Sequence, residues 1–411
     1  MVAEPPEGRT PPLIGRRDAK RLCIALIAAE QDGLRRDGRL THAHTIGARL
    51  LDGTAADSDD LLIDEATLGF DSLLMLSLIT VLTRFFGLAT TGVEDYLLVR
   101  RRLGDWADLV AHHFGLVGAQ AALTFTTSGS TGAGKAVAHS RRTLESEVAA
   151  IGSLFQSGGG EQPRILSMVA PHHIYGFLWS CLLPHHLGRD VCDLYGAAPT
   201  RLVREVRPGD LVLGTPFTWA QLAATGLALP DGVSGVTSGA PSTPETWRAG
   251  QALGLVRMID IYGSTETGGV GWREAEGGAF RLLGDLQLDA GELRRCGAVL
   301  DLQDRLEWRH ARMFSVLGRR DTVVQVAGTN VCPETVRETL LSDPRVRDAS
   351  IRLDGNRLKA FVVPEIGADP ATLEPCLRDL LARRLPAPAR PDRFTFGATL
   401  PRNSVGKPAD W

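Results

Sequence analysis

The chain has 411 residues, of which 44% are hydrophobic and 23% charged, with a formal net charge of -3. This suits a soluble globular protein of two or three domains and leaves no basic footprint for nucleic acid. No uninterrupted apolar run reaches membrane-spanning length, so no membrane is expected as a partner.

Six cysteines (Cys23, Cys181, Cys192, Cys296, Cys332, Cys376) are scattered without C-x-x-C spacing, which argues against a zinc site or a disulfide framework. Residues 1–10 carry acidic and proline residues without an apolar core, so a cytoplasmic protein without a secretory leader is expected.

Residues 18–29 (DAKRLCIALIAA) put Leu22, Ile24, Leu26 and Ile27 near one helical face. A connector over residues 37–60 leads to Leu68-Gly69-Phe70-Asp71-Ser72-Leu73 and an apolar-periodic helix at 74–86, which Asp71 or Ser72 would cap well. Val93-Glu94-Asp95-Tyr96 then precedes a helix at 103–114 opened by Gly104-Asp105-Trp106. Over residues 17–115 this order resembles the acyl-carrier-protein family. The resemblance implies that Ser72 stands where carriers bear phosphopantetheine. The other reading is a carrier-like helical bundle kept as a structural replacement, with Ser72 serving only the helix start. Arg100-Arg101-Arg102 departs from the acidic surface of carriers.

An apolar strand at 121–125 then delivers Thr126-Thr127-Ser128-Gly129-Ser130-Thr131-Gly132-Ala133-Gly134-Lys135. Glycines allow close backbone approach to a ligand, and backbone N–H groups with a lysine suit a phosphate. A Walker loop fits Gly129 to Lys135, but Ala136 stands where its magnesium-binding Ser or Thr is needed. A flexible linker of small residues is the bland alternative. The run resembles the Ser/Thr/Gly-rich loop of the adenylate-forming superfamily, which includes acyl-CoA synthetases, peptide-synthetase adenylation domains and luciferases. Gly134 departs from the usual proline. The resemblance implies that Thr127, Ser128, Gly129, Ser130, Thr131, Gly132 and Lys135 hold the phosphates of ATP.

A helix is expected at 140–155 and a buried strand at 164–169, which delivers Pro171-His172-His173-Ile174-Tyr175-Gly176-Phe177. This resembles the family's P-x-x-H-x-x-G segment, with His172 replacing the usual aromatic, and implies that His173 lies between acyl pocket and α-phosphate. Residues 208–214 read as a strand, and 233–241 as a strand running into Ser238-Gly239-Ala240-Pro241. Residues 256–269 (VRMIDIYGSTETGG) form a strand ending at Tyr262. Y-G-S-T-E-T-G is the most specific match to the family. It implies adenine on Ser238, Gly239, Ala240, Pro241, Tyr262 and Gly263, the α-phosphate at Thr265, and Mg²⁺ at Glu266, consistent with magnesium's preference for oxygen ligands.

Asp304 stands fourteen residues before Gly318-Arg319-Arg320-Asp321. By resemblance, Asp304 holds the ribose hydroxyls, with Asp301 as fallback; Arg319 lies beside the nucleotide, and Asp321 is the hinge. A strand is expected at 322–326, a helix entry at 328–334, a hairpin over 348–353 and 357–363, and an amphipathic helix at 372–384. Leu400-Pro401-Arg402-Asn403-Ser404-Val405-Gly406-Lys407 matches the family's P-R-x-x-x-G-K, implying that Lys407 bridges the substrate oxygen and α-phosphate.

The resemblance to adenylate-forming enzymes covers residues 118–411. It implies an α/β adenylate-forming large domain (118–320, trimmed) and a small mobile α+β C-terminal domain (321–411), preceded by the helical carrier-like bundle (17–115). Compact size, the P-H-H-I-Y-G-F segment and the D-S-L front also resemble the 4-coumarate–CoA ligase group of photoactive yellow protein and aryl polyene pathways. The activity so implied is adenylation of an aromatic, hydroxycinnamate-type carboxylate with ATP and Mg²⁺. Pyrophosphate is released and the acyl group passes to CoA or to pantetheine, with an acyl carrier protein as a further partner. Two other readings stand beside it: an ATP-dependent diazotase that activates nitrite for an aromatic amine, and a non-catalytic scaffold.

Overall fold

The computed structural model describes residues 11–40, 46, 59–126, 135–155, 163–289, 291–319, 324–326, 329–355, 357–402 and 409–411. The chain forms two compact units, Met1–Asp301 with Arg309–Phe314, and Leu302–Trp308 with Ser315–Trp411.

Three long helices open the first unit. Helix α1 (Arg16–Arg36) buries Leu22, Cys23, Leu26, Ile27 and Leu34 on one face, with Asp18 in its first turn and Arg35 and Arg36 in its last, where each sign suits the helix dipole. Helix α2 (Ser72–Phe86) begins where the Asp71 carboxylate accepts the Leu74 N–H at 2.8 Å, and ends at Gly87, whose φ of 71° a side chain would oppose. Helix α3 (Leu103–Val117) buries Trp106, whose indole N–H donates to the Arg100 carbonyl at 2.7 Å.

These helices do not form a separate bundle. Their apolar faces share one core with Leu123 and Phe125 of strand β1 (Ala122–Thr126), and with Phe177 and Trp179. Phe85 packs edge-on against Phe125, ring centres 5.4 Å apart. Arg21 of α1 reaches Asp193 at 2.9 Å and the Ser180 carbonyl at 2.8 Å. The sequence reading divided this stretch into a helical domain and a nucleotide domain; the structure joins them in one unit.

β1 pairs antiparallel with β2 (Ala136–Ser140), from Ala122 opposite Ser140 to Thr126 opposite Ala136. The two ends of the Ser/Thr/Gly-rich run are therefore held side by side. Helix α4 (Arg141–Ser153) follows at once, capped by the Ser140 hydroxyl.

The central sheet carries parallel strands β3 (Ile165–Ser167), β4 (Val191–Asp193), β5 (Leu211–Gly214), β6 (Ser234–Thr237) and β7 (Arg257–Ser264) in the order β4-β3-β5-β6-β7. Buried, near-continuous apolar runs such as Leu211 to Leu213 mark strands covered on both faces. Antiparallel β8 (Gly268–Arg273) and β9 (Phe280–Leu282) extend the sheet beyond β7. A small antiparallel sheet follows, of β10 (Leu286–Asp289), β11 (Glu292–Arg295) and β12 (Ala298–Val299). Strands β13 (Asp304–His310) and β14 (Met313–Arg319) complete the nine-stranded order, with Phe314 opposite Phe280.

In the second unit, β15 (Val324–Val326) and β16 (Thr329–Val331) pair, then helix α5 (Pro333–Leu341) follows. The expected hairpin forms from β17 (Val346–Asp354) and β18 (Arg357–Pro364). β19 (Arg393–Phe396) lies parallel to β18, and α6 (Pro370–Arg384) buries Leu373, Leu377 and Leu381. This is the small α+β domain anticipated from sequence.

Candidate active site

In an open parallel sheet, ligands bind outside the carboxyl ends of the strands. Here those ends carry the motif residues. β7 runs past its neighbours and turns at Ser264–Thr267 into β8. The turn is closed by its own side chains. The Ser264 N–H donates to Thr267 Oγ1 at 3.2 Å, and the Thr267 N–H donates to Ser264 Oγ at 3.3 Å. Gly263 is required because a Cβ there would lie 2.2 Å from the Gly268 carbonyl oxygen. Thr265 and Glu266 lie within this turn, both half-buried.

His139 of β2 ties the turn to the phosphate-loop hairpin. Its Nε2 lies 2.7 Å from the Thr265 carbonyl oxygen, which can only accept, so Nε2 carries the proton. Burial holds the imidazole below the usual histidine value, against the opposing pull of that bond. No motif marked His139 in the sequence, and β2 itself was not anticipated.

Beside the turn, Ser238 is buried and its Oγ donates to the Ile261 carbonyl at 2.9 Å. Gly239 has φ +86°, and Gly239, Ala240 and Pro241 form an exposed ledge. The ledge is anchored at its far end, where Ser242 Oγ donates to Asp260 at 2.9 Å and Asp260 pairs with Arg273 at 2.8 Å. Burial raises the Asp260 carboxyl, while Arg273 draws it down. The Arg273 guanidinium lies 4.4 Å from the Phe280 ring centre, and Tyr262 packs against Phe280 and Phe314 at 5.6 and 5.7 Å. Ser238, Gly239, Ala240, Pro241, Tyr262, Gly263, Thr265 and Glu266 are thus brought together at the ends of β6 and β7.

The P-H-H-I-Y-G-F segment lies across the same sheet edge. The Tyr175 hydroxyl shares its one proton between the carbonyls of Gly214 and Val236, at 3.1 and 3.0 Å, near the ends of β5 and β6. Gly176 has no room for a side chain, since a Cβ would sit 2.0 Å from the Ala170 carbonyl oxygen. His173 is exposed at the start of the helix Ile174–Phe177, 4.5 Å from the His172 ring. Burial and His173 hold His172 well below the usual value, so it is neutral.

Lys135 is exposed at the start of β2. Asp304 begins β13 in the second unit, and the backbone of Arg319 ends β14. Thr127, Ser128, Gly129, Ser130, Thr131, Gly132, Asp321, Lys407 and the side chain of Arg319 lie outside the described residues.

Among the described residues no cluster of three His, Cys, Asp or Glu is ready-made for a metal. A cation at Glu266 would draw its other ligands from phosphate and water. Magnesium favours that mode, so the residues present fit it.

This fold and this turn define an adenylate-forming enzyme, and comparison with known proteins agrees. The model of the family described as AMP-binding enzyme matches residues 113–301. The 4-coumarate–CoA ligase of Cereibacter sphaeroides is 54% identical over the whole of both chains. That of Rhodobacter capsulatus is 41% identical over 95% of this chain and 99% of its own. ATP-bound MatB from Rhodopseudomonas palustris shares the fold, with a TM-score of 0.54 at 19% identity over 75% of this chain and 71% of its own. The chain belongs to the AMP-binding enzyme family, and both relatives named above, matched over nearly their whole length, are 4-coumarate–CoA ligases.

Proposed function

We propose that this protein is an ATP-dependent, AMP-forming ligase that activates an aromatic, 4-coumarate-type carboxylate and passes its acyl group to the thiol of CoA. The observation that carries this reading is the self-closed turn presenting Thr265 and Glu266 beside the Ser238–Pro241 ledge, in a chain collinear with 4-coumarate–CoA ligases.

The carboxylate oxygen attacks the α-phosphorus of ATP and the bond to pyrophosphate breaks. The thiol sulfur then attacks the acyl carbon, the thiol proton is lost, and AMP leaves. Positioning and neutralisation of charge supply most of the rate. Residues 127–132 with Lys135 cradle the β- and γ-phosphates, and the Thr265 hydroxyl meets the α-phosphate. Adenine rests on the Gly239–Pro241 ledge against Tyr262, and Asp304 and Arg319 serve the ribose side. Mg²⁺ bound at Glu266 would offset phosphate charge. His173 separates the acyl pocket from the α-phosphate. Lys407 closes over the site for the first step and withdraws about Asp321 for the second.

Ser72, exposed at the first turn of α2, is the position at which this chain would carry a phosphopantetheine arm for use with an acyl carrier protein-type acceptor. No helix among the described residues is long and apolar enough to cross a membrane, and a cytoplasmic setting accords with use of ATP and CoA. Neither the nitrite-activating nor the scaffold reading draws support from a residue described above.

The test is pyrophosphate release across a panel of aromatic acids with CoA, beside nitrite with aryl amines. Acid-dependent pyrophosphate and an acyl-CoA product support the proposal. Turnover with nitrite and amine alone, or with no substrate, overturns it.

A further inference from the structure

Behind the Thr265–Glu266 turn lies a buried ionic cluster that the chemistry above does not use. Arg295, the last residue of β11, has a side chain 2% exposed, and its carboxylate partners Glu147 and Asp285 are 3% and 4% exposed. Its Nε donates to Asp285 at 2.5 Å. One terminal nitrogen reaches both Glu147, at 2.9 Å, and the Thr267 carbonyl, at 2.5 Å; the other reaches the Gly269 carbonyl at 2.6 Å. Glu147 completes the ring by accepting the Gly269 N–H at 2.6 Å. The fit is close: a Cβ on Gly268 would lie 2.2 Å from a Glu147 oxygen, and one on Gly269 would lie 2.9 Å from the other.

Removing three charges from water is costly, and well-packed apolar residues usually stabilise a core as well as such a cluster does. What the cluster provides is geometry. Every backbone contact of Arg295 and Glu147 in this cluster falls on Thr267 or Gly269, one and three residues beyond Glu266. The planar fork of an arginine is needed to meet two carbonyls and two carboxylates at once; a lysine is a single point charge. Glu147 comes from α4, directly after the phosphate-loop hairpin, while Asp285 immediately precedes β10 and Arg295 ends β11. The turn is therefore clamped from two sides.

We propose that Arg295 is a positioning residue for adenylation: held by Glu147 and Asp285, it fixes the backbone of Thr267 and Gly269 and so the placement of Thr265 and Glu266 against the triphosphate. This rests on the ligase reading above. Arg295 touches no substrate and acts only through the turn.

The test uses Arg295→Lys and Glu147→Gln in the full-length protein, with three readouts. These are acid-dependent pyrophosphate release at varied ATP, thiol transfer from preformed acyl-adenylate, and hydrogen exchange at residues 264–269 without ligand. Misplaced reacting groups cost on the order of 10- to 100-fold. Arg295→Lys should therefore slow adenylation by about that factor and raise KM for ATP, while thiol transfer stays within about threefold. Exchange of the Gly269 amide should accelerate in both variants, by roughly tenfold or more. Equal loss in both half-reactions with unchanged KM for ATP, or unchanged Gly269 exchange, overturns the proposal. Should Arg295→Lys fail to fold, Glu147→Gln decides by the same readouts, because it keeps the side-chain volume but a neutral amide cannot accept from both the Gly269 N–H and the Arg295 guanidinium as the two carboxylate oxygens do. If the wild type itself releases no pyrophosphate, the ligase reading fails. The exchange experiment still reports whether the cluster holds the turn.

Discussion

Phe85→Ala asks whether the N-terminal helices are part of the catalytic unit. Phe85 is 5% exposed and packs edge-on against Phe86 at 5.0 Å and against Phe125 at 5.4 Å, so its ring bridges α2 and the phosphate-loop hairpin. Truncating a buried phenylalanine costs about 3–5 kcal/mol, from lost transfer energy and the cavity left behind. In a unit of about 300 residues that lowers Tm by roughly 5–8 °C. The assay is calorimetric melting with and without AMP, together with AMP affinity at low temperature. A shared core requires that the transition stabilised by AMP move down with the mutation. An early transition confined to the helices, with the AMP-stabilised transition unmoved, would refute the single-core reasoning and restore an independent carrier-like domain.

Further outcomes follow from particular contacts. Gly176→Ala forces a Cβ to within 2.0 Å of a backbone oxygen; the expected loss is about 1–3 kcal/mol or more of stability, read by urea denaturation, with activity falling further because His173 and Tyr175 are displaced. Burial raises the Glu147 carboxyl from 4.5 to about 7, with Arg295 opposing. A raised folded-state value favours the folded protein at low pH. This contribution is present below about pH 4.5 and is lost as pH climbs through about 7, up to about 3 kcal/mol in all. Glu147→Gln should flatten that part of a pH series of denaturation midpoints; an unchanged slope would show that Arg295 keeps Glu147 ionised throughout. Lys407→Ala should slow adenylation far more than thiol transfer from preformed adenylate, and equal slowing would remove that role. Intact mass after treatment with a phosphopantetheinyl transferase and CoA decides Ser72. A gain of one phosphopantetheine, absent in Ser72→Ala, marks it as a carrier site, and an unshifted mass leaves it as a helix start.

Much of the site was legible because the chemistry is local in sequence. Gly263, Thr265 and Glu266 fall within one turn, and Gly176 is demanded by a clash only six residues away. Parallel strands announced themselves as apolar runs, as at Leu211 to Leu213, and the β17–β18 hairpin as two runs around Gly355. The features that escaped depend on partners far apart in the chain. Arg295 meets Glu147 from well over a hundred residues away, and Glu147 on a helix surface looks like any solvated carboxylate until α4 packs against the turn. β2 reads Ala-Val-Ala-His-Ser, a composition with little strand preference, and is held by pairing with β1. The helical periodicity of α1 and α2 showed which faces are buried, but not that Phe125 and Phe177 lie in the same core.

The most direct measurement is ATP–pyrophosphate exchange driven by 4-coumarate, in the wild type and in Glu266→Gln, with AMP affinity measured alongside. If the β7 turn holds the reacting triphosphate, exchange requires the acid, and the variant loses on the order of 100-fold while still binding AMP. Acid-independent exchange, or full exchange in Glu266→Gln, would contradict that placement.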